Sequence, residues 1–137
     1  MQKIFIVILN YNGKGDTLEC LNSLKAVTTS HRTVVVDNGS VDDSVSAIKQ
    51  MFPKIIVIES KSNLGYAEGN NVGIRYCLQN GADHILILNN DTFVHPKILA
   101  SFLKRSAPIQ GAKVYLYGEK NRLDHLGGIW NLNKGNF

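Results

Sequence analysis

Short runs of consecutive aliphatic residues alternate along this chain with longer stretches whose apolar positions recur every three or four residues. Ile4-Phe5-Ile6-Val7-Ile8-Leu9 is a continuous apolar run, the pattern of a strand covered on both faces. After Gly13-Lys14-Gly15, Asp16 with Glu19 three positions on predicts a helix opened by a capping box, and Leu18, Leu21 and Leu24 mark its apolar face. Val34-Val35-Val36 predicts a second strand that ends at Asp37-Asn38-Gly39. Ser40 and Asp43 form a second capping pair, ahead of a helix carrying Val45 and Ile48. Pro53 separates that helix from a third strand, Ile55-Ile56-Val57-Ile58. The loop from Ser60 to Gly65 leads into a helix reaching about Gln79, with Gly81 where a C-cap glycine belongs. Ile85-Leu86-Ile87-Leu88 predicts a fourth strand, which runs into Asn89-Asn90-Asp91. Pro96 opens a further helix with Ile98, Leu99, Phe102 and Leu103. Lys113 to Tyr117 predicts a fifth strand, and from Gly118 the chain turns polar and glycine-rich with no closing element.

This alternation predicts an α/β fold: one domain over residues 1–137, with a mostly parallel, Rossmann-like sheet and helices on both faces. Right-handed crossovers bring the strand C-termini to one edge, and ligands of such sheets bind beyond that edge, where the strand order reverses. The polar insertions at three strand ends, Asn10-Tyr11-Asn12, Asp37-Asn38 and Asn89-Asn90-Asp91, therefore become the candidates for chemistry.

Composition adds exclusions. At 137 residues, 44% hydrophobic and 19% charged, the chain reads as an ordinary folded domain, and no apolar run approaches the ~20 residues that span a bilayer. The first apolar run is only a strand long and is followed by Asn10-Tyr11-Asn12-Gly13 rather than a small-residue cleavage site, so a cytoplasmic protein is expected. Cys20 and Cys77 lie far apart, each within a helical pattern, which suits buried reduced thiols better than a zinc or redox pair. The net charge of +4 and pI near 9.1 would serve a diphosphate or an anionic membrane face. Lys and Arg are scattered, not striped with aromatics, which disfavours nucleic acid.

Each candidate has a plain structural alternative. Asp37 is either the head of a good Asp-Asn-Gly-Ser turn or a carboxylate that accepts hydrogen bonds from a base or ribose. Asn89-Asn90-Asp91 is either a polar turn or a site for a hard divalent cation, which needs few carboxylates when a diphosphate fills its shell. Its place directly after four aliphatics favours the site. Asn63-Leu64-Gly65-Tyr66-Ala67-Glu68-Gly69-Asn70-Asn71-Val72-Gly73 holds three glycines, each costing a helix about 1 kcal/mol relative to alanine. Gly69 and Gly73 thus predict close backbone approach, to a ligand or to the sheet, and Asn70 or Asn71 could reach the ligand edge. Gly13-Lys14-Gly15 with Asp37 downstream imitates a dinucleotide fingerprint, but Leu18 holds its third glycine position. No Walker loop, nucleophile elbow or zinc pattern occurs, and His31, His84, His95 and His125 are dispersed.

Taken in order, Ile6-Val7-Ile8-Leu9-Asn10-Tyr11-Asn12, Val36-Asp37-Asn38-Gly39-Ser40, Asn63-Leu64-Gly65-Tyr66-Ala67 with Asn70-Asn71-Val72-Gly73, and Leu88-Asn89-Asn90-Asp91 resemble the N-terminal half of family 2 glycosyltransferases, particularly the rhamnosyltransferase-like members. The resemblance runs from about Ile4 to Gly128. It implies the GT-A fold and a nucleoside-diphosphate sugar donor, UDP- or dTDP-linked, with a glycan acceptor. It also implies that Asn10, Tyr11, Asn12, Asp37, Asn38, Asn63, Gly65, Asn70, Asn71 and Asn90 line the nucleotide-sugar site, Asp37 contacting the base. Asp91 would be the principal ligand of Mg²⁺ or Mn²⁺, in a variant whose first acid is an amide. Family members transfer with inversion, using a carboxylate base expected here beyond Phe137; Asp124 and His125 are the nearby titratable groups. The chain is thus expected to be a truncated part of a longer protein, peripheral at the inner face of the membrane, whose exposed apolar surface could form a homo-oligomer. Three rivals stand beside this reading: a non-catalytic nucleotide-binding module, a sugar-phosphate nucleotidyltransferase and a nicotinamide-dependent oxidoreductase.

Overall fold

The structure, a computed structural model, describes residues 2–119 and 122–125. The chain divides into two compact units, residues 1–101 and 102–137. In the first, four strands, β1 (Ile4–Asn10), β2 (Arg32–Asp37), β3 (Ile56–Glu59) and β4 (His84–Asn89), form an all-parallel sheet in the order β3-β2-β1-β4. The chain steps outward from β1 to β3 and then crosses back to place β4 on the other side of β1. The strand order therefore reverses between β1 and β4, the place where such sheets open a crevice.

Period-two alternation of the β1 side chains divides the core. Ile4, Ile6 and Ile8 face Cys20, Leu21 and Leu24 of α1 (Lys14–Leu24), with Ile48 of α2 (Ser44–Met51) and Leu99 of α4 (Ile98–Phe102). Phe5 and Val7 face the other way with Val34, Val36 and Cys77, the last on α3 (Gly65–Gln79). Helices thus cover both faces, as the uninterrupted apolar run of β1 predicts. On α3, a Cβ at Gly69 would lie 2.5 Å from Leu9 Cδ1, and one at Gly73 would lie 2.4 Å from Val7 Cγ1. Both glycines therefore serve close approach of helix to sheet. Gly81, at φ +74°, closes α3: its N–H donates to Leu78 O and that of Ala82 to Cys77 O, the two bonds of a Schellman motif.

Several boundaries differ from the sequence expectation. Helix α1 begins at Lys14, not Asp16, and Gly13 is its N-cap with no side-chain bond. The Asp16–Glu19 capping box does not form because the backbone has already turned helical before Asp16. Helix α2 begins at Ser44, with Asp43 at its N-cap and again no side-chain cap. Ser40 is drawn instead to Asp37, as described below. Strand β3 starts at Ile56, and Pro96 lies two positions ahead of α4. In the second unit, β5 (Val114–Tyr115) pairs antiparallel with β6 (Leu123–His125). The fifth strand expected over 113–117 is thus half of a separate small ladder. The end of the Ile4–Gly128 resemblance, residues 126–128, lies outside the described residues.

Candidate functional site

Parallel register puts the ends of three strands side by side: Asn10 lies opposite Asp37, and Leu9 opposite Asn89. Five buried or half-buried polar side chains meet there: Asn10, Thr17, Asp37, Ser40 and Asn90. Asn10, fully buried at the end of β1, donates from Nδ2 to Asp37 Oδ1 at 2.7 Å and to Ser40 Oγ at 3.1 Å. Its Oδ1 accepts from the hydroxyl of buried Thr17 at 2.7 Å, and that hydroxyl accepts from Asn90 Nδ2 at 3.0 Å. Ser40 donates to Asp37 twice, from Oγ at 2.6 Å and from its backbone N–H at 3.0 Å. Asp37, 3% exposed, is therefore held by three donors, compensation that a buried carboxylate requires.

The following loop is locked to the same group. Asn12 takes the left-handed conformation (φ +50°), which asparagine tolerates better than most residues. Its N–H donates to Ser40 Oγ and its side chain accepts from Val41 N–H, so Tyr11 between them stands half-exposed, at 49%, beside the strand ends. Gly13 then enters α1 against the cluster. A Cβ there would sit 2.5 Å from Asn90 Nδ2 and 3.3 Å from Asn10 Oδ1, so a side chain at this position would displace Asn90.

Asn38 is buried and fixes the next loop. Its Nδ2 donates to Asn63 Oδ1 at 2.9 Å, and its Oδ1 accepts from Leu64 N–H at 3.0 Å. Asn63 Oδ1 also accepts from Gly65 N–H, and Gly65 takes φ +78° to start α3. A Cβ on Gly39, at φ +80°, would meet the Ser62 backbone at 2.7 Å. Asn38, Asn63 and Gly65 thus hold the 60–65 loop against β2. Beside it an open groove of about 580 Å³ is lined by Asp37, Ser40, Val41, Lys49 and Lys61, among others.

From α3, Asn70 is 4% exposed and donates to Tyr66 O, while its Oδ1 is buried without a hydrogen-bond partner. Asn71 is exposed and donates to Glu68 instead. Exposed Tyr66 reaches across to β4, its hydroxyl donating to Asn89 Oδ1 at 3.0 Å. The turn after β4 is pinned by Thr92, whose hydroxyl donates to Asn89 O at 2.6 Å, with the Cys20 thiol on the same carbonyl at 3.7 Å. Burial pushes the Cys20 thiol up to about 11, so it stays neutral beneath this turn. At the rim, the Ser44 hydroxyl holds the Asp42 carboxyl below its usual range, and the partner Asp43 raises Lys14.

Asp91 is exposed, and no group of three or more His, Cys, Asp or Glu that could hold a metal occurs among the described residues. One carboxylate with neighbouring amide oxygens is too little for an all-protein cage. It fits a hard cation whose remaining ligands are phosphate oxygens and water. The arrangement therefore suits a metal carried together with a diphosphate.

Of the residues named from sequence, Asn10, Asp37 and Asn90 are brought into one network, and Asn12 joins it through Ser40. Asn38, Asn63 and Gly65 form a second cluster, while Asn71 faces away from both in its bonding. Thr17, Ser40, Gly13 and Tyr66 were not assigned to the site from sequence. Thr17 did leave a signal, a polar residue in helical register with the apolar positions Cys20, Leu21 and Leu24.

The comparisons with known proteins agree with this architecture. The signature of glycosyl transferase family 2 matches residues 5–134, and the chain belongs to that family. It is 34% identical over 94 residues to the low-salt glycan biosynthesis hexosyltransferase Agl10 of Haloferax volcanii, a match covering 66% of this chain and 28% of that one. Among solved structures it is similar to the mannosyltransferase PcManGT of Pyrobaculum calidifontis, in complex with GDP-Man and Mn²⁺. That match has a TM-score of 0.69 and 21% identity, and covers 83% of this chain and 35% of the other. It is also similar to S. aureus TarS 1-349 in complex with UDP-GlcNAc, with a TM-score of 0.66 and 22% identity, covering 75% of this chain and 30% of that one. The fold is thus that of the GT-A glycosyltransferases, and the chain spans about a third or less of the length of each of these proteins.

Proposed function

We propose that this chain forms the donor-binding part of a glycosyltransferase that takes a nucleoside-diphosphate sugar together with Mg²⁺ or Mn²⁺. The observation that carries the reading is the convergence of Asn10, Asp37 and Asn90 at the point where the strand order reverses, with Asp91 exposed beside them. Family membership supports a sugar nucleotide as the ligand, and the similar structures with UDP-GlcNAc and with GDP-Man and Mn²⁺ support the diphosphate and cation.

In this reading the base and ribose lie along Tyr11, Asp37 and the groove toward Lys61, whose size falls in the ~300–1,000 Å³ range of small-molecule sites. Asp91 holds the cation, and Asn90 faces the ribose or diphosphate. Bound there, the metal would supply Lewis-acid stabilisation of the departing diphosphate. The chain's own residues bind and orient the donor: Asp37, already committed to three donors, presents its one remaining lone pair from a rigid setting. Asn38, Asn63 and Gly65 shape the loop that closes the groove, and Asn70 and Asn71 stand behind it on α3. Transfer goes to a glycan hydroxyl with inversion. No helix among the described residues is long and apolar enough to cross a membrane. The protein would work in the cytoplasm, with peripheral attachment at the membrane's inner face.

Calorimetric titration with UDP, dTDP, GDP and NADH, with and without Mn²⁺, tests the assignment. One nucleoside diphosphate should bind more tightly with Mn²⁺, and Asp91→Ala should abolish that gain. Metal alone should not bind measurably. Binding of NADH without any nucleoside diphosphate, or an Asp91→Ala variant with undiminished metal dependence, would defeat this reading.

A further inference from the structure

The polar network has a direction that can be derived from one group. An ionised carboxylate only accepts hydrogen bonds, so the Asn10 atom 2.7 Å from Asp37 Oδ1 must be the amide nitrogen. That leaves Asn10 Oδ1 facing Thr17, and a carbonyl oxygen also only accepts, so the Thr17 hydroxyl spends its single proton there, at 2.7 Å. The hydroxyl then has only lone pairs for Asn90, and the Asn90 atom 3.0 Å away must be Nδ2. All three bonds run the same way, from Asn90 through Thr17 and Asn10 to Asp37. Gly13 keeps the space open, since a Cβ there would sit 2.5 Å from that same Nδ2. The Asn90 oxygen carries no hydrogen bond among the described residues.

We propose that Thr17 is a positioning residue, whose hydroxyl fixes Asn90 with its NH₂ turned inward and its amide oxygen presented to the ligand. Asn90, placed above at the ribose or diphosphate, is thereby narrowed to an electropositive partner, a ribose hydroxyl or the divalent cation that accompanies the diphosphate, and not a phosphate oxygen, which would need the NH₂ group. The proposal rests on the donor-binding reading above and deepens it. It also gives the buried Thr17 a part in recognition, although its side chain is wholly enclosed and cannot touch substrate.

The test compares wild type, Thr17→Val and Thr17→Ser in calorimetric titrations with UDP and GDP, in Mn²⁺ and in EDTA. Valine matches threonine in shape and lacks the hydroxyl, so Asn90 loses its anchor; affinity should fall roughly two- to tenfold, the equivalent of one hydrogen bond. Serine should restore it. A loss confined to Mn²⁺ assigns the oxygen to the cation, and a loss that persists in EDTA assigns it to the ribose; either supports the proposal. Equal affinity in folded Thr17→Val overturns it. A second measurement needs neither variant nor ligand. In NMR spectra of the wild-type chain the Asn90 side-chain NH₂ protons should show nuclear Overhauser contacts to Thr17, and their absence overturns the proposal. Should wild type bind no nucleotide, the donor-binding reading fails, while the spectra still decide how Asn90 is oriented.

Discussion

Gly73 offers a sharp test of how α3 sits on the sheet. Replacing it with alanine places a Cβ 2.4 Å from Val7 Cγ1 and 3.0 Å from Val36 Cγ2. Carbon atoms pack at about 3.5–4.0 Å, so the helix or the strands must retreat by roughly 1 Å. Neither valine can swing aside: both are fully buried in central strands, and β-branched side chains have little rotamer freedom. Overpacking of this kind costs about 1–3 kcal/mol. Alanine returns nearly 1 kcal/mol through helix propensity, leaving a net loss of up to about 2 kcal/mol. Gly15 is the internal control. It also lies in a helix, but a Cβ there meets nothing within 4 Å. Gly15→Ala should therefore stabilise by about 0.4–1 kcal/mol through the unfolded chain alone. Urea unfolding followed by circular dichroism measures both, and the two variants should move the midpoint in opposite directions. A Gly73→Ala chain stabilised as much as Gly15→Ala would refute the packing argument, because both valines stand in the way of its Cβ.

Two further outcomes follow from the site. Gly13→Ala presses on Asn90 Nδ2, the far end of a half-buried side chain that can yield. Thermal unfolding should therefore change by no more than about 1 kcal/mol while nucleotide affinity falls severalfold; a large stability loss with intact binding would contradict the assignment. The thiols supply a pH dependence. Burial raises Cys20 and Cys77 from an ordinary value near 9 to about 11, so above pH 9 the unfolded chain releases protons that the folded chain keeps. Their contribution to stability is fully present below pH 9 and declines as pH rises toward 11. Cys20→Ala and Cys77→Ala should each flatten that decline in urea titrations, and neither thiol should react with a disulfide reagent at pH 8 unless the chain is unfolded.

Much of this protein was legible from local pattern. The unbroken apolar run Ile4–Leu9 announced a strand buried on both faces, and the β–α alternation announced the parallel sheet. Period two and period 3.6 are imposed by backbone geometry, so they can be read without knowing which elements meet. The placing of Asn10, Asp37 and Asn90 at strand ends followed from the same pattern. Which atoms those residues turn toward each other did not. Ser40 reads as a helix cap by spacing, yet the fold draws it to Asp37, because a buried carboxylate gains more from a third donor than α2 would from a cap. Gly13 reads by sequence only as part of an imperfect dinucleotide fingerprint, and the arrival of Asn90, in the turn after a strand more than seventy residues downstream, explains its missing side chain. Thr17 joins Asn10 to Asn90 across the same distance in sequence. Such contacts depend on strand order and register, which arise when separated elements pack. The sequence by itself therefore determined the layers and the edge where the polar strand ends gather, and tertiary structure decided which of those polar groups are spent on one another.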